Sequence, residues 1–241
     1  MFLMKTFKII LVLLVVTSSM QAQDFGLSFS YFIPKNGYLS MPISPFSIRG
    51  IGVNFNQYIA LETGASLYRM SGLNLKDLPF ESKESLIGPN FTIFVPAELV
   101  FMLQGSVVQF DIKGGGFFFY GFDNKINYGN MDRAMRSFYQ YEVLNSNLTF
   151  KNNPGFGYHA GVELTLYVTS QVGIVIEANY LVGQAKFPVR GDFDAGTGSS
   201  TVNEEVDYDE AKIDFTGIEI SLGVIFNSGG NSSPSKPRRR R

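Results

Sequence analysis

Nine ionisable side chains on one parity of an alternating sequence are the clearest candidates for chemistry. Glu62, Glu98, Asp111, Glu163, Glu177 and Glu219 are joined there by Arg49, Lys113 and His159, the chain's single histidine. Six acids set against two permanent cations cannot all be ionised in a narrow interior. Protons must be held or shared, or water and a cation admitted. Two readings follow. One is a hydrated plug of ion pairs and carboxyl hydrogen bonds. The other is a cation-selective path or ion site, since acidic rings select cations.

The remaining clusters offer less. His159 with Glu163 further along the same face has the groups for acid–base work, but no positioned nucleophile accompanies them. His159 therefore reads as a hydrogen-bonded member of the charged face. Asp192, Asp194, Asp207 and Asp209 lack the Asp-x-Asp-x-Asp-Gly spacing of a calcium loop and read as a solvated acidic segment. Gly114–Gly116 has no Lys-Ser or Lys-Thr after it, so it is no phosphate loop. The following Phe117–Tyr120 reads as part of an interfacial aromatic girdle. The absence of cysteine excludes lipid attachment, disulfides and thiolate metal clusters. No cofactor, metal or catalytic residue is expected.

What positions these residues is a period of two. In Gly155–Val168, Tyr158, Ala160, Val162, Leu164 and Leu166 alternate with His159, Gly161, Glu163 and Thr165. After Thr169, Ser170 and Gln171, the run Val172–Gly183 sets Val172, Ile174, Ile176, Ala178 and Tyr180 against Gly173, Glu177 and Asn179. Such alternation predicts a β-hairpin with one apolar and one polar face. Its strands are long, whereas a tilted strand crossing a bilayer needs about 9–11 residues.

Six further runs follow the rule: Asp24–Ile33, Pro45–Phe55, Tyr58–Met70, Asn90–Met102, Val107–Tyr120 and Ile213–Phe226. In the second, the apolar parity switches across Gly50 and Gly52, which predicts a β-bulge. Short joins follow the second, fourth and sixth runs. Longer ones, at Pro34–Ser44, Ser71–Pro89, Gly121–Pro154 and Gln184–Lys212, follow the first, third, fifth and seventh. An even strand count with short turns at one end and long loops at the other predicts an all-β, eight-stranded antiparallel up-and-down transmembrane β-barrel, with the polar parity inside. The acids should then form a belt across the lumen. Tyr31, Phe55, Phe101 and Phe226 fit interfacial belts. Within the third long loop, Met131–Leu144 reads as a short surface helix or a hairpin extending the barrel.

The ends complete the organisation. Met1–Ala22, with Lys5 and Lys8 before the apolar Ile9–Val16, reads as a secretory signal peptide (residues 1–22). Residues 23–226 form the barrel. No later segment offers the 18 consecutive apolar residues of a membrane helix. Residues 227–241, Ser/Gly/Pro-rich and closing on Arg238, Arg239, Arg240 and Arg241, read as a disordered basic periplasmic tail, solvated or drawn to anionic head groups or an acidic partner.

Over Gln23–Phe226 this pattern resembles the small eight-stranded outer-membrane barrels, the group of outer-membrane protein A and its relatives. The Phe/Tyr-rich style resembles the outer-membrane β-barrels of Bacteroidota. Gly217–Phe226, with Gly217, Leu222, Val224 and Phe226, is similar to the final-strand signal read by the barrel-assembly machinery. It departs from that form because Phe226 is not terminal. The resemblance implies a Gram-negative outer-membrane location, both ends in the periplasm, contact with lipid and lipopolysaccharide, and no nucleic acid. Some such barrels modify lipids. A lipid A deacylase-like site would need a Ser where Gly161 stands. The expected role is non-enzymatic: a scaffold or accessory subunit docking to a larger outer-membrane complex through loops and tail. The alternatives are a narrow, porin-like channel or carrier for small ions or apolar molecules, and then a lipid-modifying enzyme.

Overall fold

The computed structural model describes residues 25–35 and 47–226. The signal segment and the arginine tail lie outside the described residues, as does most of the first long loop. In chain order the elements begin with β1 (Phe25–Pro34), β2 (Ser47–Asn54), β3 (Ile59–Met70), β4 (Leu75–Lys76), β5 (Asn90–Gln104) and β6 (Val108–Phe122). Then come α1 (Tyr128–Tyr139), β7 (Val143–Phe150), β8 (Gly155–Tyr167) and β9 (Val172–Lys186). β10 (Val189–Thr197), β11 (Ser200–Tyr208), β12 (Lys212–Asp214) and β13 (Gly217–Phe226) complete the set.

Eight of these strands close an antiparallel barrel in the order β1-β2-β3-β5-β6-β8-β9-β13, with β13 returning to pair with β1. Side chains alternate across the wall. Phe29 (64% exposed), Phe156 (66%) and Leu222 (56%) face outward, while Ser30, Glu163 and Glu219 are buried. The anticipated bulge is present. The β2–β3 register shifts between Ile48 and Ile51, and Gly50 takes φ 75°, a conformation that favours glycine. Side chains brace the short turns. Asn56 Oδ1 accepts from the amides of Tyr58 (2.7 Å) and Ile59 (2.9 Å). Thr169 Oγ1 accepts from Gln171 (3.2 Å) and Val172 (3.0 Å).

At the long-loop end the chain builds a dome. Asn127 caps α1 by accepting from the amide of Asn130 (3.3 Å), and Gln140 ends it in the left-handed conformation. Met131 and Met135, one turn apart, are fully buried beneath the helix. A three-stranded sheet ordered β11-β10-β7 packs with it around Phe187, Val189 and Phe193. β4 pairs with β12 below.

Several expectations change. The third long loop forms both a helix and a strand, but β7 pairs with β10 of the fourth loop and makes no hairpin of its own. The fourth loop is ordered: Asp192, Asp194, Asp207 and Asp209 belong to the β10–β11 hairpin and its end. The last run is broken, because Phe215 and Thr216 separate β12 from β13 and Phe215 turns into the barrel. The barrel interior is also not polar throughout, since its long-loop half is filled with aromatic rings.

Candidate functional site

The lumen divides into two storeys. In the storey nearer the short turns, Lys113 on β6 is the hub. Its Nζ donates to Glu163 Oε2 at 2.5 Å and lies 3.7 Å from Glu177, 3.8 Å from Glu62 and 3.9 Å from Glu98. Arg49 on β2 donates to Glu219 Oε1, lies 3.5 Å from Glu98 Oε1, and sits 5.6 Å over the Phe94 ring. Glu98 thus bridges the two cations. Glu219 also accepts from the Tyr68 hydroxyl and from Asn179 Nδ2 (2.8 Å). Asn179 holds Glu177 Oε1 at 2.9 Å, and Ser221 donates to the other Glu177 oxygen at 3.1 Å.

Asp111 accepts from Gln109 Nε2 at 3.0 and 2.8 Å, and the Tyr167 hydroxyl donates to Gln109 Oε1 at 3.0 Å. Hydroxyls of Ser30, Ser47 and Ser66 form a chain across three strands, each step 2.8 Å. A cavity of about 50 Å³ opens beneath, lined in part by Ser28, Glu62, Gln109, Asp111 and Glu177. At roughly 10–15 Å³ per water, it has room for a few.

The upper storey is apolar. Phe215 stacks on Phe32 and Phe119, each with centroids 4.5 Å apart, and meets Phe117 at 6.1 Å. Phe94 and Tyr68 complete the stopper. Glycines on β8 and β9 make room for it. A Cβ on Gly157 would lie 2.4 Å from Phe117 Cζ, and one on Gly155 2.2 Å from Phe119 Cζ. Phe117 and Phe119 are therefore lumen residues, and only Phe118 and Tyr120 remain for the girdle. Their parity with Asp111 and Lys113 was the available signal; reading four aromatics as one block hid it.

His159 marks the floor of the stopper. Its ring lies 6.5 Å from Phe94 and 6.1 Å from Phe117, with Nε2 3.9 Å from Glu98 Oε1. Among the described residues neither ring nitrogen has a hydrogen-bond partner, so the expected hydrogen-bonded partnership is not formed there. Gly161, which faces Asn179, leaves that amide the space it needs: a Cβ there would lie 1.8 Å from Asn179 Oδ1. Of the nine charged-face residues, eight are buried in the lumen. The Glu62 side chain, at 19% exposure, stands at the edge of the cavity. On β13, Gly217 faces inward against Ile33, while Leu222, Val224 and Phe226 face outward. Among the described residues no group of three or more His, Asp or Glu is arranged to hold a metal, and no helix is long and apolar enough to cross a membrane.

The geometry is that of a closed outer-membrane-type barrel. It is similar to the outer membrane protein OprG from Pseudomonas aeruginosa, with 11% identity and a TM-score of 0.52 over 87% of this chain and 97% of that one. A major outer membrane protein from Thermus thermophilus also matches, with 11% identity and a TM-score of 0.39 over 86% and 99% of the two chains. So does Ail, the attachment invasion locus protein of Yersinia pestis, with 15% identity and a TM-score of 0.35 over 84% and 94%. At these identities the likeness, carried by OprG, extends to the fold alone. No family model and no curated protein matches the chain.

Proposed function

We propose that the chain is a non-enzymatic integral outer-membrane protein whose sealed barrel anchors a rigid dome, serving as a scaffold or accessory subunit of a larger outer-membrane complex. The observation that carries this is the continuity of stopper and dome. Phe32, Phe119 and Phe215 run on into Phe187, Val189 and Phe193 as one buried cluster. A conduit would leave its long-loop end open. Here that end is invested in holding two loops in one fixed shape. The outward apolar parity favours lipid as the surrounding solvent. Within this reading the short turns and both ends face the periplasm, and the Phe/Tyr-rich strands favour a Bacteroidota-style barrel. Gly217, Leu222, Val224 and Phe226 serve insertion by the assembly machinery, and Arg238–Arg241 serve attraction to anionic surfaces.

The test is a mild-detergent pull-down from native membranes with a tag after Gly230. Stoichiometric co-purification with a larger barrel is expected, and recovery of the protein alone would sink the docking reading. The second reading, a narrow conduit, draws on the acidic cavity at the short-turn end. It requires conductance in planar bilayers that falls when Glu98 and Glu163 are changed to Gln.

A further inference from the structure

The dome's sheet has two edges, and they are treated differently. Along β7, α1 covers the edge: Asp132 Oδ1 accepts from the amide of Ser146 (3.1 Å) and from its hydroxyl. Along the first half of β11 no described element does. It pairs with β10 on one side, and among the described residues no strand pairs with the other. Ser200–Glu205 is exposed throughout, Val202 included. An uncovered strand edge presents a row of backbone donors and acceptors to any extended segment that can lie beside it.

Charge selects what lies there. Residues 189–210 carry seven carboxylates and one arginine, with no lysine. That arginine, Arg190, is already held by Asp207 (3.1 Å) and Asp209 (2.5 Å). Glu205 stands exposed on the outer face of β11, and Glu204, held by the Tyr141 hydroxyl (3.0 Å), on the inner one. Both faces of an added strand would therefore meet an acid. A second copy pairing β11 to β11 would bring like charges together, which disfavours self-association and leaves a basic segment as the fitting occupant.

We propose that the β11 edge is a docking site for an extended, lysine- or arginine-bearing polypeptide segment that adds to the dome sheet as a fourth strand. This rests on the docking reading and names the chemistry of the partner. The site is tested with the full chain in lipid nanodiscs and a terminally blocked eight-residue peptide of alternating Lys and Val. Controls are its Glu–Val counterpart and two versions N-methylated at alternate residues. Binding of the Lys–Val peptide should be tighter than that of the Glu–Val peptide by about tenfold or more, and about tenfold weaker with Glu205→Lys. One of the N-methylated peptides, lacking the donors that face β11, should lose binding. Equal binding of both N-methylated peptides and the parent would mean surface charge alone and overturn the proposal, as would equal binding of the Lys–Val and Glu–Val peptides. If a partner co-purifies equally with wild type and Glu205→Lys, the docking reading survives and the edge does not. Peptide binding without any co-purified partner would keep the edge and remove the docking reading.

Discussion

Lys113 shows what a buried charge network does at the scale of one residue. An ion pair in a low-dielectric interior gains little over well-packed apolar groups, but removing one partner strands the other. Lys113→Met would leave Glu62, Glu98, Glu163 and Glu177 around an uncharged centre. We expect it to cost about 3–5 kcal/mol in urea unfolding from micelles. Lys113→Met combined with Glu163→Gln should recover part of the loss. In the dome, burial is the main cause holding the Tyr208 phenol above its ordinary range, helped by Tyr139, whose hydroxyl lies 3.1 Å away. A group whose folded pKa is raised stabilises below the unfolded value and loses that contribution as pH rises. The dome should therefore weaken above about pH 10, and Tyr208→Phe should blunt that loss in pH-dependent proteolysis of the loops. The charged residues were legible one by one, because parity alone assigns a face. Which acid meets which base was not, since Arg49 reaches Glu219 across 170 positions of sequence.

Among the elements, strands were the easiest to read and the stopper the hardest. Long alternation marks barrel strands whatever surrounds them, and the Gly50–Gly52 parity switch declared its bulge. The dome escaped the sequence because β7 and β10 pair between two loops separated by a complete barrel hairpin, a contact no local period encodes. The stopper escaped because its rings are matched to absences, the bare backbones of Gly155, Gly157 and Gly183. A Gly155→Val change should expel the Phe119 ring and cost about 1–3 kcal/mol by overpacking, read as a lower midpoint in urea. Gly114→Val, on the outward parity with only a 3.6 Å neighbour, should leave that midpoint nearly unchanged.

For the whole molecule, the apolar wall and the ring-filled half of the interior make two further demands. Leu99→Arg, on the outward face of β5, should cost about 2–4 kcal/mol in a bilayer near mid-span, and much less in a soluble denaturing reference. Phe215→Ala removes the ring against which Phe32 and Phe119 stack, and single-channel recording should then show conductance steps where the wild type shows fewer or none. Finally, β1 and β13 meet along ten residue pairs, from Phe25 opposite Phe226 to Pro34 opposite Gly217. The first described strand thus finds this neighbour only after the last described strand has been made. Until that seam is sewn, the nascent polypeptide carries two raw margins. The sequence-adjacent pairs β2–β3, β5–β6 and β8–β9 can join in chain order, but the cylinder closes only at the β1–β13 seam.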